Sequence, residues 1–101
     1  MNTRGKGDVR PVLDYELILE AQDRLRKRVR HTELISSNHF SRQLGYPLLL
    51  KCENLQTTGA FKLRGAMNFM TARDRSELAH GVTAASAGNH AQGVAYAADL
   101  L

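Results

Sequence analysis

Lys51-Cys52-Glu53-Asn54-Leu55-Gln56-Thr57-Thr58-Gly59-Ala60-Phe61-Lys62-Leu63-Arg64-Gly65-Ala66 passes from an apolar run through loop chemistry into a helical pattern. Pro47 opens Leu48, Leu49, Leu50, Lys51 and Cys52, a compact apolar run bounded by turn signals, which suits a buried strand. Asn, Thr and Gly between Glu53 and Gly59 are turn formers. From Phe61 onward Leu63, Met67 and Met70 share one side, with Ala66 and Phe69 beside them, and Gly81 ends the unit. The segment therefore reads as strand, loop, helix.

The same grammar extends in both directions. Downstream, Val82 to Ala85 is small, apolar and short enough for another buried strand. Ser86-Ala87-Gly88-Asn89 then leads into Ala91, Val94, Ala95, Ala97 and Ala98, a helix apolar on nearly every side and so expected to be buried. Upstream, Asp14 is placed to cap a helix carrying Ile18, Ala21, Leu25 and Val29 at helical spacing. Glu20 with Arg24 and Asp23 with Lys27 form acid-before-base pairs along it. Thr32 to Ile35 predicts a short strand, Ser36 or Ser37 caps a brief helix with Phe40 and Leu44 on one face, and Gly45 stops it. Alternating strands and helices predict an α/β fold: a parallel sheet with flanking helices. Asp99, Leu100 and Leu101 end inside the helical pattern. The expected organisation is thus a tail over residues 1–13 and an incomplete, truncated domain over residues 14–101.

Composition narrows the function classes. Of 101 residues, 43% are hydrophobic and 24% charged, with eight Gly and two Pro, which points to an ordered globular piece. No run of about 18 apolar residues is present to span a membrane, and the polar segment Met1–Arg10 lacks an apolar secretory core. One cysteine, Cys52, can form no internal disulfide, and with it no Cys/Cys/His/His zinc framework can be built. These features favour a cytoplasmic protein without a metal site. The net charge of +4 arises mainly in the first thirty residues, densest at Arg24, Arg26, Lys27, Arg28 and Arg30. Acids early and bases late along that helix match its dipole, so a solvated helix face explains the run better than a nucleic-acid surface. No aromatic residue interleaves it for base stacking.

Two strand-to-helix junctions hold the residues suited to chemistry, since ligands of parallel α/β sheets bind at the carboxyl ends of strands. A helix opening after Ser86 to Asn89 presents unpaired N–H groups to a carboxylate or phosphate, and Gly88 permits close approach. By spacing alone that turn reads first as an ordinary turn and helix cap. Lys62, read alone, is most often a solvated surface lysine. Apolar Ala60, Phe61 and Leu63 around it favour the free amine that Schiff-base chemistry needs. Cys52, Met67 and Met70 read as core packing, and Arg64 as a structural partner for a nearby acid.

Thr58-Gly59-Ala60-Phe61-Lys62-Leu63-Arg64-Gly65-Ala66 resembles the cofactor-lysine motif of fold type II pyridoxal-phosphate enzymes, the tryptophan synthase β family, in its threonine/serine dehydratase and serine racemase branch. Ser86-Ala87-Gly88-Asn89-His90-Ala91-Gln92-Gly93 resembles the same branch's asparagine loop, and the likeness spans residues 14–101. The resemblance implies pyridoxal 5′-phosphate as cofactor, Lys62 as the lysine that bears it and acts on substrate, and Phe61 as the aromatic residue packing beside its ring. It implies Asn89 near the cofactor's 3′-oxygen, and Ser86, Gly88, Asn89 and His90 as the loop that receives the substrate carboxylate.

The implied activity is a threonine/serine ammonia-lyase, converting a hydroxyamino acid into a 2-oxo acid and ammonia. Its expected form is a homo-oligomer at full length, with neither nucleic acid nor membrane as partner and little activity in this piece alone. A non-catalytic fragment or interaction module is the alternative, and a basic nucleic-acid-binding module ranks last. Three departures from the pattern stand out. Glu33 replaces a common proline, Leu101 replaces a common helix-closing glycine, and Ala87 replaces the serine that racemase members use as second acid/base, which disfavours racemisation. The family's Gly-rich phosphate loop and its pyridine-nitrogen partner, both much later in the pattern, have no counterpart in these residues.

Overall fold

The computed structural model describes residues 13–101, so the expected tail lies, except for Leu13, outside the described residues. Helix α1 spans Tyr15–Leu25, and Asp14 caps it as expected, its carboxylate accepting the Leu17 amide at 2.8 Å. The α-helix stops at Leu25, short of the expected run to Val29. The amides of Arg28 and Val29 both turn back onto the Leu25 carbonyl, so the chain tightens into turns there. Glu20 pairs with Arg24 at 3.5 Å, but Asp23 pairs with Arg26 rather than Lys27.

Strand β1 (Leu34–Ser36) leads to α2 (Asn38–Leu44), which Ser37 caps by accepting the Phe40 amide at 3.3 Å. Gly45, at φ 76°, closes α2 in the left-handed region that glycine enters freely. Strand β2 (Leu49–Lys51) then pairs with β1, with Leu34 opposite Lys51 and Ser36 opposite Leu49. The pairing is antiparallel, which corrects the expected parallel arrangement for these strands. Once Gly45 has turned the chain, Leu48 accepts the Ser37 amide and Glu33 accepts that of Cys52, so β2 runs back along β1. Residues 82–85 form no strand, and no parallel pair occurs among the described residues. Nor is β2 buried: Leu49 is 54% exposed, as is Leu34 of β1 at 59%.

After a 3-10 turn at Glu53–Leu55 comes the central element, α3 (Lys62–Thr71). Leu63 and Met67 are fully buried, with Ala66 and Met70 beside them, against Leu25 of α1 and Ala97 of α5 (Asn89–Leu100). Each of the Leu and Met side chains contributes roughly 1.5–3 kcal/mol by leaving water. The helical unit expected to run unbroken to Gly81 divides instead. Thr71 Oγ1 donates to the Met67 carbonyl at 2.6 Å, and Asp74 opens a separate short helix, α4 (Arg75–Leu78), its amide donating to the Glu77 carboxylate at 3.0 Å. That reciprocal Asp74/Glu77 arrangement is a capping box, written in the sequence as D-x-x-E.

Helix α5 is less buried than its composition implied, with only Gly93 and Ala97 enclosed. Gly93 lies directly on the first turn of α3: a β-carbon there would fall 3.1 Å from the Leu63 amide nitrogen and 3.3 Å from the Lys62 carbonyl carbon. At the other end Ala98 and Leu101 line a cavity with Met70 and Thr71. The two helices therefore run side by side in the same sense, their N-termini together.

Helix propensity alone would have Gly93→Ala stabilise the protein by about 1 kcal/mol. The contact reverses the sign, because the atoms met are backbone of a buried residue that cannot swing aside. A net loss of about 1–2 kcal/mol is expected in urea unfolding of the whole protein; a gain would show that α5 does not rest on α3 in this way.

Candidate active site

Lys62 and Asn89, far apart in sequence, are the first residues of α3 and α5. The parallel packing of those helices brings both to one end of the pair, the end at which both helix dipoles are positive. Lys62 is exposed, and its Nζ lies 5.3 Å from the centroid of the Phe61 ring. Among the described residues no hydrogen bond or ion pair engages that amine. The apolar surround expected of it is not in place: Ala60 and Leu63 turn into the core, and Phe61 is 61% exposed.

Ser86, Ala87, Gly88, Asn89 and His90 are all exposed in and beyond the turn that opens α5. Ser86 Oγ accepts the Gly88 amide at 3.3 Å, and the Gly88 carbonyl accepts the Gln92 amide at 3.2 Å. No side chain caps α5, so its first amides remain available. His90 is neither buried nor capping.

Behind Lys62 the loop before α3 is tied down by a polar network. Arg64 grips Glu53 with two bonds, Nε to Oε2 at 2.9 Å and a terminal nitrogen to Oε1 at 2.7 Å. Glu53 also accepts the Thr32 hydroxyl at 2.6 Å, and Gln56 Nε2 lies 3.4 Å from its second oxygen. Gln56, almost wholly buried, exchanges two 2.9 Å bonds with the backbone of Arg30. The expectation that Arg64 pairs with an acid is met, and the acid is Glu53. Thr32 reads in the sequence only as the start of a strand that begins instead at Leu34, and Gln56 is not singled out there. Gln56 lies in a stretch that reads as loop, and only tertiary contact reveals it as a buried strut. Thr58 Oγ1, in the turn before α3, is buried without a partner among the described residues.

The Arg64 hydrogen bonds, helped by Thr32 and Gln56 against the opposing effect of burial, hold the Glu53 carboxyl at about 2, well below its usual 4.5. The sequence model of one family, described as pyridoxal-phosphate dependent enzyme, matches residues 25–101. The chain belongs to that family.

Similarity to individual members agrees. An L-threonine ammonia-lyase of Geobacter sulfurreducens is 70% identical over 90 residues, which cover 89% of this chain and 22% of that protein. Among solved structures, maize serine racemase superposes with a TM-score of 0.81 at 42% identity, over 89% of this chain and 28% of that one. The T.th. threonine deaminase gives 0.74 at 41% identity, over 87% and 31%. The chain thus spans between a fifth and a third of the length of these family members. No helix of the described residues is long and apolar enough to cross a membrane.

A carboxyl with a lowered native pKa binds fewer protons folded than unfolded, so Glu53 stabilises the fold above about pH 4.5 and loses that contribution as pH falls toward 2. The stability difference between the wild type and Glu53→Gln is expected to be largest near neutrality and to shrink across that interval. Urea melts taken at a series of pH values measure it. A difference that grows on acidification would contradict the pairing.

Proposed function

We propose that the whole protein is a pyridoxal-phosphate-dependent L-threonine ammonia-lyase, acting on L-threonine and related hydroxyamino acids such as L-serine. Residues 14–101 are then the N-terminal portion of its catalytic domain. The observation that carries this reading is the 70% identity to an L-threonine ammonia-lyase over 90 residues. The local chemistry supports it. Lys62 offers an exposed amine with no competing partner among the described residues, Phe61 offers an aromatic face beside it, and Asn89 opens the neighbouring helix. These groups fit pyridoxal phosphate: Lys62 would hold it through its aldehyde, and Phe61 and Asn89 would flank it.

When bound, the cofactor supplies an electron sink for the pair left at the substrate Cα. The protein's own tasks are positional. Ser86, Gly88, Asn89 and His90 surround the start of α5, where free amides and the helix dipole attract the substrate carboxylate. The Lys62 amine, free once the substrate's own amine has taken its place at the aldehyde carbon, would take the Cα proton on its own face and pass it to the hydroxyl, which would leave Cβ as water. Hydrolysis completes the conversion to a 2-oxo acid and ammonia. A homo-oligomeric, cytoplasmic enzyme without nucleic-acid or membrane partners belongs to the same reading, supported by the single cysteine and by the acids that pair with the basic run along α1.

Serine racemases share this fold, so the choice of reaction has to be argued from a residue. Racemisation requires a second proton donor on the face opposite the lysine. Ala87, in the loop expected to cover that face, carries a methyl group with no exchangeable proton.

Borohydride treatment of the whole protein with pyridoxal phosphate, followed by peptide mass spectrometry, is expected to fix the label on Lys62. Label confined to another lysine would overturn the assignment. With L-serine the enzyme is expected to release 2-oxo acid with little D-serine, and Ala87→Ser to raise the D-isomer. Chiral chromatography reads both, and substantial D-serine from the unaltered protein would remove Ala87 from the argument.

A further inference from the structure

Helix α3 begins without the usual local signals. Phe61 provides no side-chain cap, and the first turn contains no acidic residue to meet the dipole. Yet this first turn has to hold Lys62 in one place, since it bears the amine on which the proposed function turns. Its backbone start is a single tight bond, the Arg64 amide to the Phe61 carbonyl at 3.0 Å. Burial of Leu63 and the contact of Gly93 seat one side of that turn in the core, and on its polar side the turn is fixed by the side chain of Arg64. Its planar fork meets both oxygens of Glu53 at 2.7 and 2.9 Å, a geometry that restricts rotation as well as distance.

Glu53 in turn is held from two directions. Thr32, almost wholly buried, donates its hydroxyl at 2.6 Å, and Gln56 braces the 3-10 turn against the backbone of Arg30. Arg64 also reaches the Arg30 carbonyl at 3.4 Å. Two separate stretches of chain, around residues 30–32 and 53–56, are therefore tied together at the guanidinium of Arg64. Arg64 follows Lys62 by two residues, which places the two side chains on nearly opposite sides of the helix. A rotation of the first turn that loosened the fork would swing Lys62 by the same angle.

We propose that Glu53 and Arg64 are a positioning pair for Lys62: their bidentate contact, braced by Thr32, sets the rotation of the first turn of α3 and with it where the Lys62 amine is presented. The pair touches no reacting atom. Its depressed carboxyl keeps it charged on both sides throughout the neutral range. This inference rests on Lys62 being the cofactor-bearing lysine, and its test separates the two.

The experiment measures the rate at which Lys62 of the whole apo-protein is captured by pyridoxal phosphate, trapped with borohydride and quantified by peptide mass spectrometry. Lys27 and Lys51 serve as internal references. The variants are Glu53→Gln, Arg64→Lys, their double combination and Thr32→Val. Arg64→Lys keeps the charge and loses the fork; Thr32→Val leaves both charges in place and removes one brace. Capture at Lys62 is expected to slow about tenfold in each single charge-pair variant, and no further in the double, because both break one contact. Thr32→Val is expected to slow it about threefold, and the reference lysines to keep their wild-type rates.

A purely structural pair would lower the melting temperature without altering relative Lys62 capture in protein that remains folded, and that result overturns the proposal. Should a charge-pair variant fail to fold, Thr32→Val decides alone: selective slowing at Lys62 supports positioning, and an unchanged rate refutes it. If the wild-type label falls on another lysine, the functional reading fails first. If it falls on Lys62 and the folded variants match the wild type, only the positioning role fails.

Discussion

Among the described glycines, Gly93 alone meets other atoms where a side chain would stand, and those atoms are the backbone of Leu63 and Lys62. A β-carbon at that point would fall 3.1 Å from the Leu63 amide nitrogen, so a side chain there would push α5 off α3 by a few tenths of an ångström. Because Leu63 is itself fully buried among Met67, Ala66 and Ala97, the contact is anchored in the core and does not depend on flexible surface groups. Close approach of the helices thus links core packing directly to the neighbourhood of Lys62 and Asn89, the opening residues of the two helices. It also explains a mid-helix glycine, which local propensity disfavours.

A second layer of order is polar. The loop from Cys52 to Phe61 contributes little apolar burial beyond Ala60, so packing alone would leave it loose. Glu53, Gln56, Thr32 and Arg64 hold it by short, mutually satisfying bonds. Such a network is costly if partly satisfied, since the buried amide of Gln56 would lose its partners in a low-dielectric setting. It also holds the loop to a single arrangement. The division of labour is consistent: apolar contacts set the distance between the helices, and charged hydrogen bonds set the rotation of the helix that carries the lysine.

Much apolar surface stays uncovered. Leu34, Ile35, Leu49 and Leu50 on the two strands are exposed, as are Tyr96, Leu100 and Leu101 on and after α5. The family members compared are about three to four times longer than the chain, and the solved structures match it over the greater part of its length. The described residues form a partial α/β unit whose core is one helix deep on either side of α3.

Local features were readable from the residues alone. Asp14 and Ser37 cap helices because their side-chain oxygens reach amides two or three residues ahead, and Gly45 ends one because it alone adopts positive φ without strain. The two motifs around Lys62 and Asn89 announced the family, and Arg64 announced an acidic partner. The break between Thr71 and Asp74 was also legible, since D-x-x-E is a local signature, but the continuous apolar spacing masked it. The direction of strand pairing, the exposure of β2 and α5, the burial of Gln56 and the meeting of two helix N-termini were settled only in three dimensions. Caps and turns are bonds between neighbours in the chain, whereas pairing, burial and helix approach depend on which distant segments arrive at the same place, and a single residue's chemistry does not record that.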